Sequence, residues 1–275
     1  MKKPRALTPW RALRLAVCGL VAAMMLAPLA IVLTLSFSAA PFLTFPPPGF
    51  SLQWYAKFFA DPVWMATLRT SVMVMIPSSL CASALGTAAA IALSRVRFRG
   101  ASLLIGLLMA PLVVPVIITA AAIFGAFRVW GLYGTVTGLI LAHTVLTIPF
   151  VLSTTLASLR MVDRTLESAA LTLGATPWRS FWRVIFPLIL PGVLSGLLFA
   201  LVISFDELTV SLFISTPTVR PITVQMWSDV RGSVDPTITA IATSLFLFTL
   251  VVMLAETLVS RRARGRRPPL AALGF

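Results

Sequence analysis

Residues 160–187 read RMVDRTLESAALTLGATPWRSFWRVIFP, a stretch patterned like a soluble helix pair but set between two apolar runs, 137–159 and 186–213, each long enough to cross a bilayer. Good helix formers run from Thr165 to Leu173, and Gly174 follows as the residue suited to the left-handed turn that ends a helix. Thr176 then offers a hydroxyl cap, Pro177 suits the first helical position, and Trp178, Phe181 and Trp182 give the second helix an apolar face. A water-facing helix pair between membrane-length segments makes the chain a polytopic helical membrane protein with a structured loop.

Working outward, four more apolar segments of bilayer length appear, so the expected spans are 15–37, 67–94, 102–127, 137–159, 186–213 and 237–259, with 160–186 as a cytoplasmic loop. The 23 apolar residues 15–37 are too many for the apolar region of a signal peptide, about 7–15 residues, and read as an uncleaved first span. With 59% hydrophobic and 11% charged residues, the 275-residue chain lacks the polar surface of a soluble domain and is read as one transmembrane domain over 1–275.

The net charge of +14 belongs to topology rather than to nucleic-acid binding, because the basic residues sit between apolar runs. With both termini inside, seventeen Lys and Arg fall on the cytoplasmic side; Lys57, Arg69, Arg128, Arg220 and Arg231 fall outside. The outer loop 38–63 combines Pro41, Pro46, Pro47 and Pro48 with Trp54, Tyr55, Phe58 and Phe59, as a connector with an interfacial aromatic segment or a docking surface would. Pro77, Pro111, Pro115 and Pro149 predict bends in spans two to four, and Ala82, Ser83, Ala84, Gly86, Ala88, Ala89 and Ala90 predict close helix packing.

Little chemistry is on offer. The three lysines, Lys2, Lys3 and Lys57, do not follow a glycine, so there is no phosphate-binding loop of the Walker type, and any ATP hydrolysis is expected in a separate subunit. One histidine, and the cysteines Cys18 and Cys81 inside apolar runs, suggest neither a catalytic metal nor a disulfide framework; no catalytic residue or cofactor is expected. His143 is expected to hydrogen-bond neighbouring helices rather than relay protons, and Glu256 to pair locally with Arg261 and Arg262. Asp206 and Glu207, late in the fifth apolar run, are candidate pathway residues for a cationic solute; the alternative sets them at the outer interface, in water or paired with Arg220. Exposed tryptophans in the loop call for a protein partner or for lipid headgroups.

The run Ser168-Ala169-Ala170, three residues, Gly174, nine residues, Val184, one residue, Phe186-Pro187 resembles the loop signature of binding-protein-dependent ATP-binding-cassette importer permeases: Glu-Ala-Ala, three residues, Gly, nine residues, Ile, one residue, Leu-Pro. The spacing matches throughout. Ser168 stands where the family has Glu, with Glu167 one place early, and Phe186 stands for Leu. Pro191-Gly192, Ser204-Phe205-Asp206-Glu207 and residues 221–237 also resemble the spermidine/putrescine-type permeases.

The resemblance implies an all-α type I importer permease of six transmembrane helices in a bacterial cytoplasmic membrane. It implies a coupling loop, with Ser168, Ala169, Ala170, Gly174, Trp178 and Pro187, seated on cytoplasmic ATPase subunits, two of them. It also implies a second permease subunit, identical or different, and an external solute-binding protein. The expected solute is a small polar cation such as a polyamine, with opines, amino acids or other small organic ions as alternatives. A membrane scaffold and an intramembrane enzyme are the rival classes.

Overall fold

The computed structural model describes residues 9–95, 99–232 and 235–265. Lys2, Lys3, Arg5, Arg97, Arg266 and Arg267, and the side chains of Arg164, Glu256, Arg261, Arg262 and Arg264, lie outside the described residues. Among those described there is no strand, only a single antiparallel bridge between Ser38 and Phe50. The described residues form twelve α-helices in order: α1 (Pro9–Ser36), α2 (Gln53–Ala60), α3 (Pro62–Arg95), α4 (Ala101–Val113), α5 (Val116–Val129), α6 (Val136–Arg160), α7 (Arg164–Thr172), α8 (Pro177–Ser180), α9 (Phe186–Asp206), α10 (Thr209–Ile214), α11 (Ile222–Gly232) and α12 (Thr237–Gly265), with a π-helical turn (Phe181–Ile185) between α8 and α9.

Among the described residues, five helical segments are long and apolar enough to cross a membrane: Leu13–Ser36, Pro62–Arg95, Val136–Arg160, Pro177–Asp206 and Thr237–Ala255. The sequence reads 102–127 as one further span, but the chain there is two helices, α4 and α5, meeting at 107°; counted as one broken span, the pair makes six. The cause is Pro115, which disfavours helical backbone in the residue before it. Val114 accordingly takes extended geometry (φ −72°, ψ 130°), and Pro115 opens α5. Pro77 and Pro149 stay inside unbroken helices.

The chain divides into two compact units. One comprises the described residues up to Pro62 together with Ser228–Leu247. In it the loop after α1 folds back: Trp54 Nε1 donates to Ser38 O (2.8 Å), Tyr55 Oη to Ser36 Oγ (2.9 Å) and Gln53 Nε2 to Ala39 O (3.0 Å). Trp54 and Phe58 are thereby buried, whereas Phe59 is exposed. Lys57 pairs with Asp235, which also accepts from the backbone N–H (2.8 Å) and hydroxyl (2.7 Å) of Thr237 at the start of α12. Partial burial would raise the Asp235 carboxyl, but these donors prevail and hold it below the usual range.

The other unit comprises Val63–Trp227 and the described residues from Phe248 on. Its tightest pair is α6 with α9, and a small residue every fourth position of α9 explains why: Gly192, Gly196, Ala200 and Ser204 are all buried. A Cβ at Gly192 would collide with Ser158, and one at Gly196 would lie 2.9 Å from Val151 Cα, so both glycines are required by the close approach of the backbones. Along α3 the same spacing buries Ser78, Ala82, Gly86 and Ala90, whereas Ala84 and Ala88 face outward. A second core joins Val74, Phe127, Leu139, Leu146, Val210 and Ile214, packing the half-helices α5 and α10 together against α3 and α6.

Candidate functional site

The loop forms as its local chemistry directs. Asp163 caps α7 by accepting from the Thr165 N–H (2.9 Å), a bond that lowers its carboxyl below the usual range, and Glu167 lies in the favourable first turn. The helix ends in a paired turn: Ala175 N–H donates to Ala170 O and Gly174 N–H to Leu171 O, both at 3.0 Å, with Gly174 at φ +84°. Thr176 Oγ1 accepts from Arg179 N–H (3.3 Å) and α8 begins.

The sequence reads α8 as part of a short separate helix, but from Pro177 the helix runs on to Asp206. Its one irregularity is a π-helical turn over Phe181–Ile185, where Phe186 N–H reaches back to Phe181 O. The wide turn sits just ahead of Pro187, which has no N–H to continue the regular ladder and whose ring crowds the preceding turn. Span five is therefore continuous with the second helix of the loop.

The loop's side chains divide into two faces. Ser168, Ala169, Gly174 and Pro187 are exposed, as are Leu173 (87%) and Trp178 (72%), while Ala170 is half-buried. Trp178, Trp182 and Phe186 pack in series, edge-to-face and then tilted, with ring centroids 5.5 and 4.8 Å apart, so the Phe at the signature's Leu position ends an aromatic row. Facing inward, Glu167 Oε1 accepts from Arg95 Nη1 at 2.7 Å, and the Arg95 guanidinium lies 6.0 Å from the Phe181 ring. The acid one place early in the signature thus binds the end of α3, while Ser168, at the family's Glu position, is on the outward side. Arg95, Arg160, Asp163 and Glu167 border a cavity of about 590 Å³ floored by Leu93 and Leu156.

The acidic pair lies at a break the sequence does not announce. α9 stops at Asp206, Glu207 is extended (φ −69°, ψ 112°), and α10 restarts at Thr209. Glu207 is committed to that break: its Oε1 accepts from Val210 N–H (2.8 Å) and its carbonyl from Thr223 Oγ1 (3.2 Å). Asp206 is exposed. Arg220 donates to Gln225 (2.7 Å) rather than to either acid.

Four buried polar residues surround this break. Ser204 Oγ lies 2.9 Å from both Ser78 Oγ and His143 Nδ1, and His143 Nε2 lies 3.0 Å from Ser211 Oγ. The expectation that His143 bonds neighbouring helices describes this arrangement; its partners, 61 and 68 residues away in sequence, have no local signal.

A sequence profile for the binding-protein-dependent transport system inner membrane component matches residues 82–265. The chain is 31% identical over 271 residues to the putrescine transport system permease protein PotI of Escherichia coli (strain K12), covering 96% of this chain and 95% of that one. It is 28% identical over 213 residues to the spermidine/putrescine transport system permease protein PotC of the same strain, covering 78% and 81%. Both relatives are transport permeases. In fold, the chain is similar to a chain of a bacterial ABC transporter that imports the acidic polysaccharide alginate, with TM-score 0.70, 14% identity and coverage of 94% and 98%. It is also similar to a chain of the MetNI methionine transporter, with TM-score 0.60, 17% identity and coverage of 76% and 97%. The chain belongs to the binding-protein-dependent transport system inner membrane component family, as a multi-pass permease subunit of an ATP-binding-cassette importer.

Proposed function

We propose that this permease carries a small cationic amine of the polyamine class into the cytoplasm, with Asp206 as the pathway acid and Glu207 as the cap that shapes the break beside it. The carrying observation is the division of labour between the two neighbours: Glu207 is occupied by Val210 N–H, whereas the Asp206 carboxylate is exposed at the end of a membrane helix. A carboxylate at membrane depth is costly unless it serves a solute or a partner. The identity to a putrescine permease over nearly the whole chain supports the same class of solute.

The whole chain acts as one transmembrane permease domain in a bacterial cytoplasmic membrane, paired with a second permease subunit and served by an external solute-binding protein. Two cytoplasmic ATPase subunits hydrolyse ATP, and the exposed face bearing Ser168, Ala169, Gly174 and Trp178 seats on one of them. Both termini are cytoplasmic, which the seventeen to five division of basic residues supports.

The reading is tested by purifying the tagged chain from its own membranes and measuring ATP hydrolysis of the complex with its binding protein. Copurification of an ATPase and stimulation by putrescine are expected. Stimulation by a neutral sugar or an amino acid, and not by an amine, would replace the solute class.

A further inference from the structure

His143 is the buried group that the transport reading leaves unused, and its geometry gives it work. It is 2% exposed, on α6, and each ring nitrogen is matched to one hydroxyl: Ser204 on α9 before the break, Ser211 on α10 after it. Ser204 is bonded in turn to Ser78 on α3. A neutral imidazole satisfies all of these bonds together. Ser78 Oγ donates to Met75 O (3.1 Å), since a carbonyl only accepts. The Ser78–Ser204 bond must then be donated by Ser204, which spends its single hydroxyl proton. His143 Nδ1 therefore carries the ring proton and donates to Ser204, and Nε2 accepts from Ser211.

Seven residues of unbroken helix rise about 10.5 Å, more than a five-membered ring and two hydrogen bonds reach across. The bridge from Ser204 to Ser211 thus fits the broken segment, and a straightened one would lose it. Glu207 and Thr223 satisfy backbone groups at the break itself, but they do not join its two sides to a third helix as His143 does.

We propose that His143 is a positioning residue for transport: by bridging Ser204 and Ser211 it fixes the break in the fifth span and so sets how the Asp206 carboxylate is presented. The inference rests on the pathway role of Asp206, but its test does not depend on which solute is carried.

The test is thiol labelling of Asp206→Cys in the full complex in proteoliposomes, with Cys18 and Cys81 replaced by Ser and a membrane-impermeant maleimide as probe. Phe50→Cys, on an exposed loop, is the control. Ser211→Ala, a near-isosteric change, is expected to alter the labelling rate at position 206 by about five-fold, the effect of one lost hydrogen bond on a local equilibrium, while labelling at position 50 stays constant. His143→Gln should do the same, and adding it to Ser211→Ala should change little more. Unaltered labelling at 206 in both variants overturns the proposal. So does a parallel change at 206 and 50, which would mean general loosening. A wild-type complex that fails to move amines would contradict the solute class while leaving these labelling results standing.

Discussion

Arg95 at the end of α3 and Glu167 in the first turn of α7 are joined by a 2.7 Å charged hydrogen bond, so the loop is tied to the second span as well as being continuous with the fifth. The Arg95 and Glu167 side chains are 35% and 26% exposed, so solvent limits the pair to about 1 kcal/mol. That is small for folding yet sufficient to bias a moving element. Glu167→Ala is expected to leave expression normal and to lower solute-stimulated ATP hydrolysis about 2- to 5-fold. The exchange Arg95→Glu with Glu167→Arg should recover part of the loss; equal activity of wild type and both single variants would show the tie to be idle.

Gly174 combines a positive φ with open space around its missing side chain. Strain and docking can therefore be separated. Gly174→Ala carries only the conformational cost, about 1–2 kcal/mol, and should retain partial uptake. Gly174→Asp adds a charge on the face proposed to meet the ATPase and should abolish uptake with membrane insertion intact. Wild-type uptake by a well-expressed Gly174→Asp complex would remove the turn from that interface.

Much of this loop was legible from local rules. Asp163, Gly174, Thr176 and Pro177 each act within a few residues of themselves, and the structure uses the last three as the sequence indicates. The break at Val114–Pro115 was half legible: proline predicts a bend, but the 107° angle depends on the packing of α5 with α10. The break at Glu207 is hidden in the sequence because residues 186–213 are nearly all apolar and hydropathy does not register backbone direction. Glu207 three residues before Val210 is a capping distance and was the available clue. Arg95–Glu167 and His143–Ser204 were beyond reach, since partners 72 and 61 residues apart leave no periodic trace.

Close packing of α6 and α9 predicts a steric penalty rather than a lost attraction. Gly192→Ala places a methyl group where Ser158 lies, and the helices must part. A loss of about 1–3 kcal/mol is expected, read as a lower melting temperature of the purified complex. Ser158→Gly in the same chain should restore part of it, although the Thr154 carbonyl, 2.9 Å from the new Cβ, keeps the rescue incomplete. A melting temperature unchanged by Gly192→Ala would contradict the proposed contact.

The charge distribution predicts an orientation that reporter fusions can check. An alkaline phosphatase fused after Phe275, active only outside the cytoplasm, should be inactive, and a fusion within 41–50 should be active. An active fusion at the C-terminus would reverse the assignment of the coupling loop to the cytoplasm.

The central claim is that an exposed carboxylate at a broken membrane helix serves a cationic solute, and Asp206→Asn tests it most directly because volume is kept while charge is removed. The measurement is ATP-driven accumulation of radiolabelled putrescine by proteoliposomes holding the complete importer, with Glu207→Gln, whose amide oxygen can still accept from Val210 N–H, alongside. The account predicts uptake about 5- to 150-fold lower for Asp206→Asn, the loss of one partly desolvated charge contact worth about 1–3 kcal/mol, with near-normal uptake for Glu207→Gln and little change in ATP hydrolysis without solute. Undiminished putrescine uptake by a normally expressed Asp206→Asn complex would contradict it.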